Sequence, residues 1–140
     1  MIVNIEDISA YGRFYSDIKD HVKWWFCLTD YKIYDTESVI SKFNYGNEES
    51  IVSAGVFIPL FKTDVIKLER EFLASMSINR SNMPFCCDDI SDFDRNFKIY
   101  IEENFLVREW YYFEQERLCK EAINWCKTNG IVFCRIKKME

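Results

Sequence analysis

An α+β fold is what this sequence predicts: a β-hairpin-containing N-terminal half packed on about three C-terminal helices, with a short closing strand at the C-terminus. Three observations carry that expectation. Strand-forming residues concentrate in VKWWFCL (22–28) and KIYD (32–35), on either side of a tight turn. From Val65 onward apolar residues recur at helical spacing. Asn129-Gly130 then ends the last helical run just before the apolar stretch 131–136.

Residues 1–20 carry two competing periods. MIVNI suits a short edge strand, whereas Ile5, Ile8, Tyr11, Tyr15 and Ile18 recur at helix-like spacing broken by Gly12. The helical reading is adopted. The hairpin follows, and Asp35 or Thr36 can cap a short helix through Phe43. Residues 44–50, with Gly46 and Asn47, read as a loop, and 51–61 as extended chain; Pro59 lacks a ladder donor, so a strand there should be short, at an edge, or over before it. Thr63 or Asp64 caps the next helix, which reaches about Met76 and docks by Val65, Leu68, Phe72 and Met76. Residues 77–87 break the period.

Asp88, Asp89, Ser91, Asp92 and Asp94 crowd the start of the following helix, where carboxylates complement the helix dipole and Ser91 can cap. Its apolar stripe is Phe93, Phe97, Tyr100 and Ile101. The last helix, about 107–127, forms the spine of the fold. At 100° per residue its buried face is Val107, Tyr111, Leu118, Ala122 and Trp125, flanked by Cys119 and Cys126. Trp110 and Phe113 fall outside that face, among Glu109, Glu116, Arg117 and Lys120. Either a neighbouring element covers them, or they form a partner surface of hot-spot composition.

The chain has 140 residues, 49% of them hydrophobic and 17% aromatic, with only four glycines and two prolines, so a single packed domain over 1–140 is expected and disorder is not. A formal charge of −5 works against a sequence-independent grip on phosphate backbones, and direct nucleic-acid binding is disfavoured. The basic cluster Arg135, Lys137 and Lys138 reads as a solvated end. The first residues place acids where a signal peptide needs a basic start and an apolar run, and no apolar stretch approaches the roughly 20 residues of a membrane span; a cytoplasmic protein is expected. The six cysteines (27, 86, 87, 119, 126, 134) lack CxxC spacing and read as free thiols, so no metal and no cofactor is expected.

Phe97-Lys98, Leu106, Trp110-Tyr111, Phe113, Glu116, Ala122, Trp125-Cys126, Asn129 and Ile131 share an aromatic W(Y/F)x(F/Y) followed by AxxWCxxNxI. In this C-terminal third the chain resembles uncharacterised protein family 0158, small bacterial proteins, with a weaker echo from Ile58-Pro59-Leu60 through Glu71-Phe72. The resemblance implies a small α+β domain and brings no activity, cofactor or catalytic residue.

The residues themselves offer little chemistry. His21 is the only histidine, no serine sits in a GxSxG elbow, and the isolated glycines 12, 46, 55 and 130 form no phosphate-cradling loop. Adjacent carboxylates such as Glu102-Glu103 point about 100° apart on a helix and do not converge. The expected function is a non-enzymatic protein-protein interaction module, of inhibitor or immunity (antitoxin) type, that binds another protein; its acidic surface suits a basic partner such as a toxin or nucleic-acid enzyme. Candidate binding residues are Trp110, Phe113 and Arg117 on the last helix, and Trp25, which alternation places on the strand face opposite Trp24 and Phe26. The alternatives are a small hydrolase or transferase built around His21 and Cys27, and a nucleic-acid-linked regulator, which needs a basic stripe. Homo-oligomerisation stays open.

Overall fold

The computed structural model describes residues 1–14, 23–79, 81–85 and 90–135. His21, Cys86, Cys87, Asp88, Asp89, Lys137 and Lys138 lie outside them. The fold is α+β, with the strands mostly in the N-terminal half, helices dominating the C-terminal half, and a closing C-terminal strand.

The hairpin pairs β3 (Trp24–Cys27) with β4 (Ile33–Asp35) antiparallel, Trp25 opposite Tyr34. Its turn is fixed locally. Tyr31 takes a left-handed φ of 58°, its N–H donates to the Cys27 carbonyl at 2.9 Å, and Asp30 accepts from the Lys32 N–H at 3.0 Å. β5 (Phe57–Pro59) adds to the other side of β3, giving the order β4-β3-β5. Pro59 thus closes an edge strand, where its missing donor costs nothing.

Between β4 and β5 lie two helices where one was expected. Asp35 caps α2 (Thr36–Phe43) by accepting from the Ser38 N–H at 2.7 Å. Residues 48–54, expected as loop and extended chain, instead form α3 (Glu48–Ala54). Asn47 accepts from the Ser50 N–H at 2.8 Å, Glu48 and Glu49 fill the first turn, and Gly55 ends the helix at φ 70°. Both helices cover one face of the sheet, burying Val39 and Ile51 against Trp25, Cys27 and Phe57.

The N-terminal segment is a second correction. In place of one helix it contains β1 (Val3–Asn4), α1 (Ile5–Ser9), a 3₁₀ turn (Ala10–Gly12) and β2 (Arg13–Phe14). β2 runs parallel to β6 (Thr63–Asp64), and β1 parallel to β7 (Phe133–Cys134), the expected closing strand. Gly12 lies so close to Phe61 that an added Cβ would sit 2.0 Å from that ring, which explains a glycine in an otherwise helix-forming run.

Asp64 caps α4 (Val65–Ser75) by accepting from the Ile66 N–H at 3.1 Å; α5 (Ile90–Glu103) and α6 (Val107–Asn129) follow. α6 is the spine, and it serves two cores. Its N-terminal half joins α4 and α5 through Trp110 and Phe113, against Phe72, Phe93, Phe97 and Ile101. Its C-terminal half buries Cys119, Ala122 and Cys126 against Ile5, Ile8 and the outer sheet face at Phe26. Among the described residues no helix is long and apolar enough to cross a membrane.

Candidate functional site

The buried face expected for α6 is corrected at both ends of its aromatic run. Tyr111 is 55% exposed and Val107 is exposed as well, against the buried face expected, whereas Trp110, 8% exposed, is covered by neighbouring helices, the first of its two readings. Phe113 is half-buried, 5.4 Å from Phe72. Leu118 and Ala122 are buried as expected, and Trp125 is half-buried with its indole N–H donating to the Pro59 carbonyl at 3.1 Å. Trp110 is therefore enclosed between helices, and Phe113 is partly covered by Phe72.

Trp25 is fully enclosed, and its indole N–H donates to Thr36 Oγ1 at 2.9 Å. Alternation along β3 is as expected, but helices cover one face and α1 with α6 the other, so no indole projects outward. Arg117 is half-buried, donates to Glu71 across the α4–α6 seam and lies over Phe113 at 5.7 Å. Of the four candidates, Trp110, Phe113 and Arg117 are brought together, Phe113 lying 6.2 Å from Trp110 and under the Arg117 guanidinium; Trp25 sits in a separate core. The Cys27 thiol is buried within 3.0 Å of Thr29 Oγ1, closed off from solvent, and its proposed partner His21 lies outside the described residues.

A different surface carries the exposed aromatics. Asn104, Phe105 and Leu106 turn the chain from α5 into α6, with the Leu106 N–H donating to the Ile101 carbonyl at 2.7 Å. That six-to-one bond recurs at the end of α6, where the Ile131 N–H reaches the Cys126 carbonyl at 2.9 Å. Both junctions place one residue in the left-handed region, as such helix ends require. At the second it is Gly130, φ 66°; at the first it is Phe105, φ 59° and 90% exposed. Tyr31, at a similar φ, packs its ring 5.1 Å from Phe26, whereas Phe105 stands in solvent.

The first turn of α6 extends this corner. Val107 and Tyr111 are exposed one helical turn apart; Tyr112 lies 5.9 Å from Tyr111, with the Arg108 guanidinium 5.6 Å over its ring. Glu102, Glu103 and Glu109 are exposed in the same segment. No glycine stands between the two helical runs, so the residue pattern carried no signal that would have located the corner.

Basic groups gather further along α6, where Arg117, Lys120, Ile123, Lys127 and Arg135 line a concavity of about 430 Å³. It falls short of a phosphate-tracking stripe, since Arg117 is held by Glu71 and Arg135 by Glu6 at 2.8 Å and Glu116 at 2.6 Å. Arg135 is thus a clamp between β7, α1 and α6, a correction to its reading as a solvated end. Its carboxylate partners Glu116 and Glu6 push its pKa further up.

Carboxyl groups of three helices also approach one another in the interior. Glu69 of α4 is 0% exposed, and burial, then the Asp94 carboxyl beside it, raise its pKa to about 10. Glu114 of α6 is held by Arg13; burial raises its pKa, opposed by the charges of Arg13 and Lys98. Among the described residues no three ligating side chains converge as a metal site. No family model, no curated protein and no solved structure matches this chain.

Proposed function

We propose that this chain is a non-enzymatic protein-binding module of inhibitor or immunity type, which docks a basic partner protein through the α5–α6 corner. The observation that supports this most directly is Phe105, held at φ 59° and 90% exposed where glycine would be free of strain. A left-handed aromatic costs on the order of 1–2 kcal/mol, and strain of this kind concentrates at binding and switching sites. Phe105, Tyr111 and Tyr112 supply the large rigid side chains that dominate interface energetics, and Glu102, Glu103 and Glu109 supply an acidic rim that steers a basic partner. The resemblance of the C-terminal third to uncharacterised protein family 0158 is compatible with this reading and adds no activity to it.

The test is affinity purification of the native protein from its own cells beside a Phe105→Ala/Tyr111→Ala variant. A stoichiometric basic partner that comes with the wild type and is lost with the variant is the expected result. Failure to recover any stoichiometric partner, or its retention by the variant, overturns the reading.

A further inference from the structure

The most anomalous side chain in the interior is Glu69. Both of its carboxyl oxygens are buried without a hydrogen-bond donor, and Oδ1 of Asp94 is buried in the same condition. Buried polar atoms are almost always paired, and a single donor between these two neighbouring carboxyl groups would pair two of the three orphan oxygens at once. As carboxylates both groups only accept, and each would leave the other unsatisfied. Adding one proton turns the pair into a donor and an acceptor.

We infer that one proton is a structural ligand of this protein, shared between Glu69 on α4 and Asp94 on α5, and that it latches the two helices together. The neighbours decide which group carries it. Lys98 of α5 donates to Asp94 Oδ2 at 3.2 Å, which leaves Oδ1 to accept from a Glu69 hydroxyl; the Lys98 charge also reaches Glu69, where it opposes the rise caused by burial and Asp94. On the α6 side the nearby group is Glu114, engaged by Arg13 of β2, so it cannot neutralise Glu69 and adds a like charge when ionised. A divalent cation fits poorly, because calcium and magnesium take six or more oxygens and zinc about four ligands, and here two carboxyls meet while the third is already held by an arginine.

The sign of the pH dependence follows. In the unfolded chain Glu69 has the ordinary value of 4.5, and in the fold it keeps its proton up to about 10. Across that interval the folded state binds the extra proton, so the latch contributes fully below the lower value and is lost as pH rises through the upper one.

Carbon-13 NMR of the side-chain carboxyl groups tests this on the intact chain. The Glu69 carbon is expected to keep the shift of a neutral acid at pH 7, where an ordinary glutamate has ionised. In Asp94→Asn, whose amide can donate to a carboxylate, Glu69 is expected to titrate at lower pH than in the wild type. Glu69→Gln keeps a donor toward Asp94 without a titrating proton, so its melting temperature should fall less between pH 5 and pH 9 than that of the wild type. An ionised Glu69 at pH 7, or equal pH dependence in wild type and Glu69→Gln, overturns the inference. So does a stoichiometric change in the Glu69 shift on adding magnesium or zinc at pH 7, since a metal would then be the ligand.

Discussion

Trp110 meets Phe97 edge to face, with ring centroids 4.9 Å apart and planes at 76°. Phe72 completes the group, 5.5 Å from Trp110 and 6.1 Å from Phe97, so α4, α5 and α6 each send one ring to the same point. Trp110→Ala is therefore expected to cost about 3–5 kcal/mol in urea unfolding. Tyr111→Ala, one residue away and 55% exposed, is expected to stay within about 0.5 kcal/mol of wild type. Equal costs would show that these rings are not the joint between the three helices.

That pair also shows what the sequence made legible and what it hid. The hairpin, the Asp35 and Asp64 caps, the stripe of α4 and the Gly130 stop were readable because each depends on neighbours in the chain. The phase of α6 was not. Trp110, Glu114, Leu118, Ala122 and Cys126 are buried at steps of four, and each such step advances about 40° beyond a full turn. The buried stripe winds around the helix as its partners change from α4 and α5 to α1 and the sheet, and a single straight face averages the two. α3 was missed for a different reason: Ile51 and Val52 are strand formers, and they outweighed the Asn47 cap and the Glu48-Glu49 first turn. The corner at Phe105 depends on a backbone angle with no glycine to announce it.

Phe105→Gly separates folding from binding at that corner. Glycine occupies a φ of 59° without steric cost, and the lost ring was solvent-exposed, so unfolding free energy should rise by about 1 kcal/mol. Capture of the partner should fall at the same time. A glycine variant that is less stable than wild type would mean the ring packs in the fold, and that its exposure has nothing to do with recognition.

The thiols should divide by burial. Cys119 and Cys126 are enclosed and Cys134 is exposed. Burial pushes Cys126 up to about 11 from 9.0, and burial together with the Glu6 carboxylate raises Cys119. Since the thiolate is the nucleophile, a two-unit rise leaves about 100-fold less of it. Alkylation with iodoacetamide followed by peptide mass spectrometry should mark Cys134 before Cys119 and Cys126, which are labelled only after denaturant is added. Prompt labelling of Cys126 in the native protein would show that α6 opens from α1 on that timescale.

Arg13 and Glu114 give a second pH test, on the α6 side of the same carboxyl group. The Glu114 side chain is 9% exposed and that of Arg13 38%, so the pair lies between exposed bridges, worth under about 1 kcal/mol, and buried ones, whose breaking costs roughly 3–5. Arg13→Met is expected to cost about 2 kcal/mol near pH 7. Burial already raises the folded pKa of Glu114, and removing Arg13 raises it further. A group raised in this way contributes stability below its unfolded pKa and loses it as pH rises through the folded one. The penalty of Arg13→Met should therefore shrink toward pH 4, where Glu114 is protonated in both states and needs no cation. Chemical unfolding of wild type, Arg13→Met and Arg13→Met/Glu114→Gln at both pH values checks this, because the double variant has no charge at 114 and should lose the difference. A penalty for Arg13→Met that is the same at pH 4 and pH 7 would mean that the arginine acts through the packing of its stem, with its charge toward Glu114 contributing little.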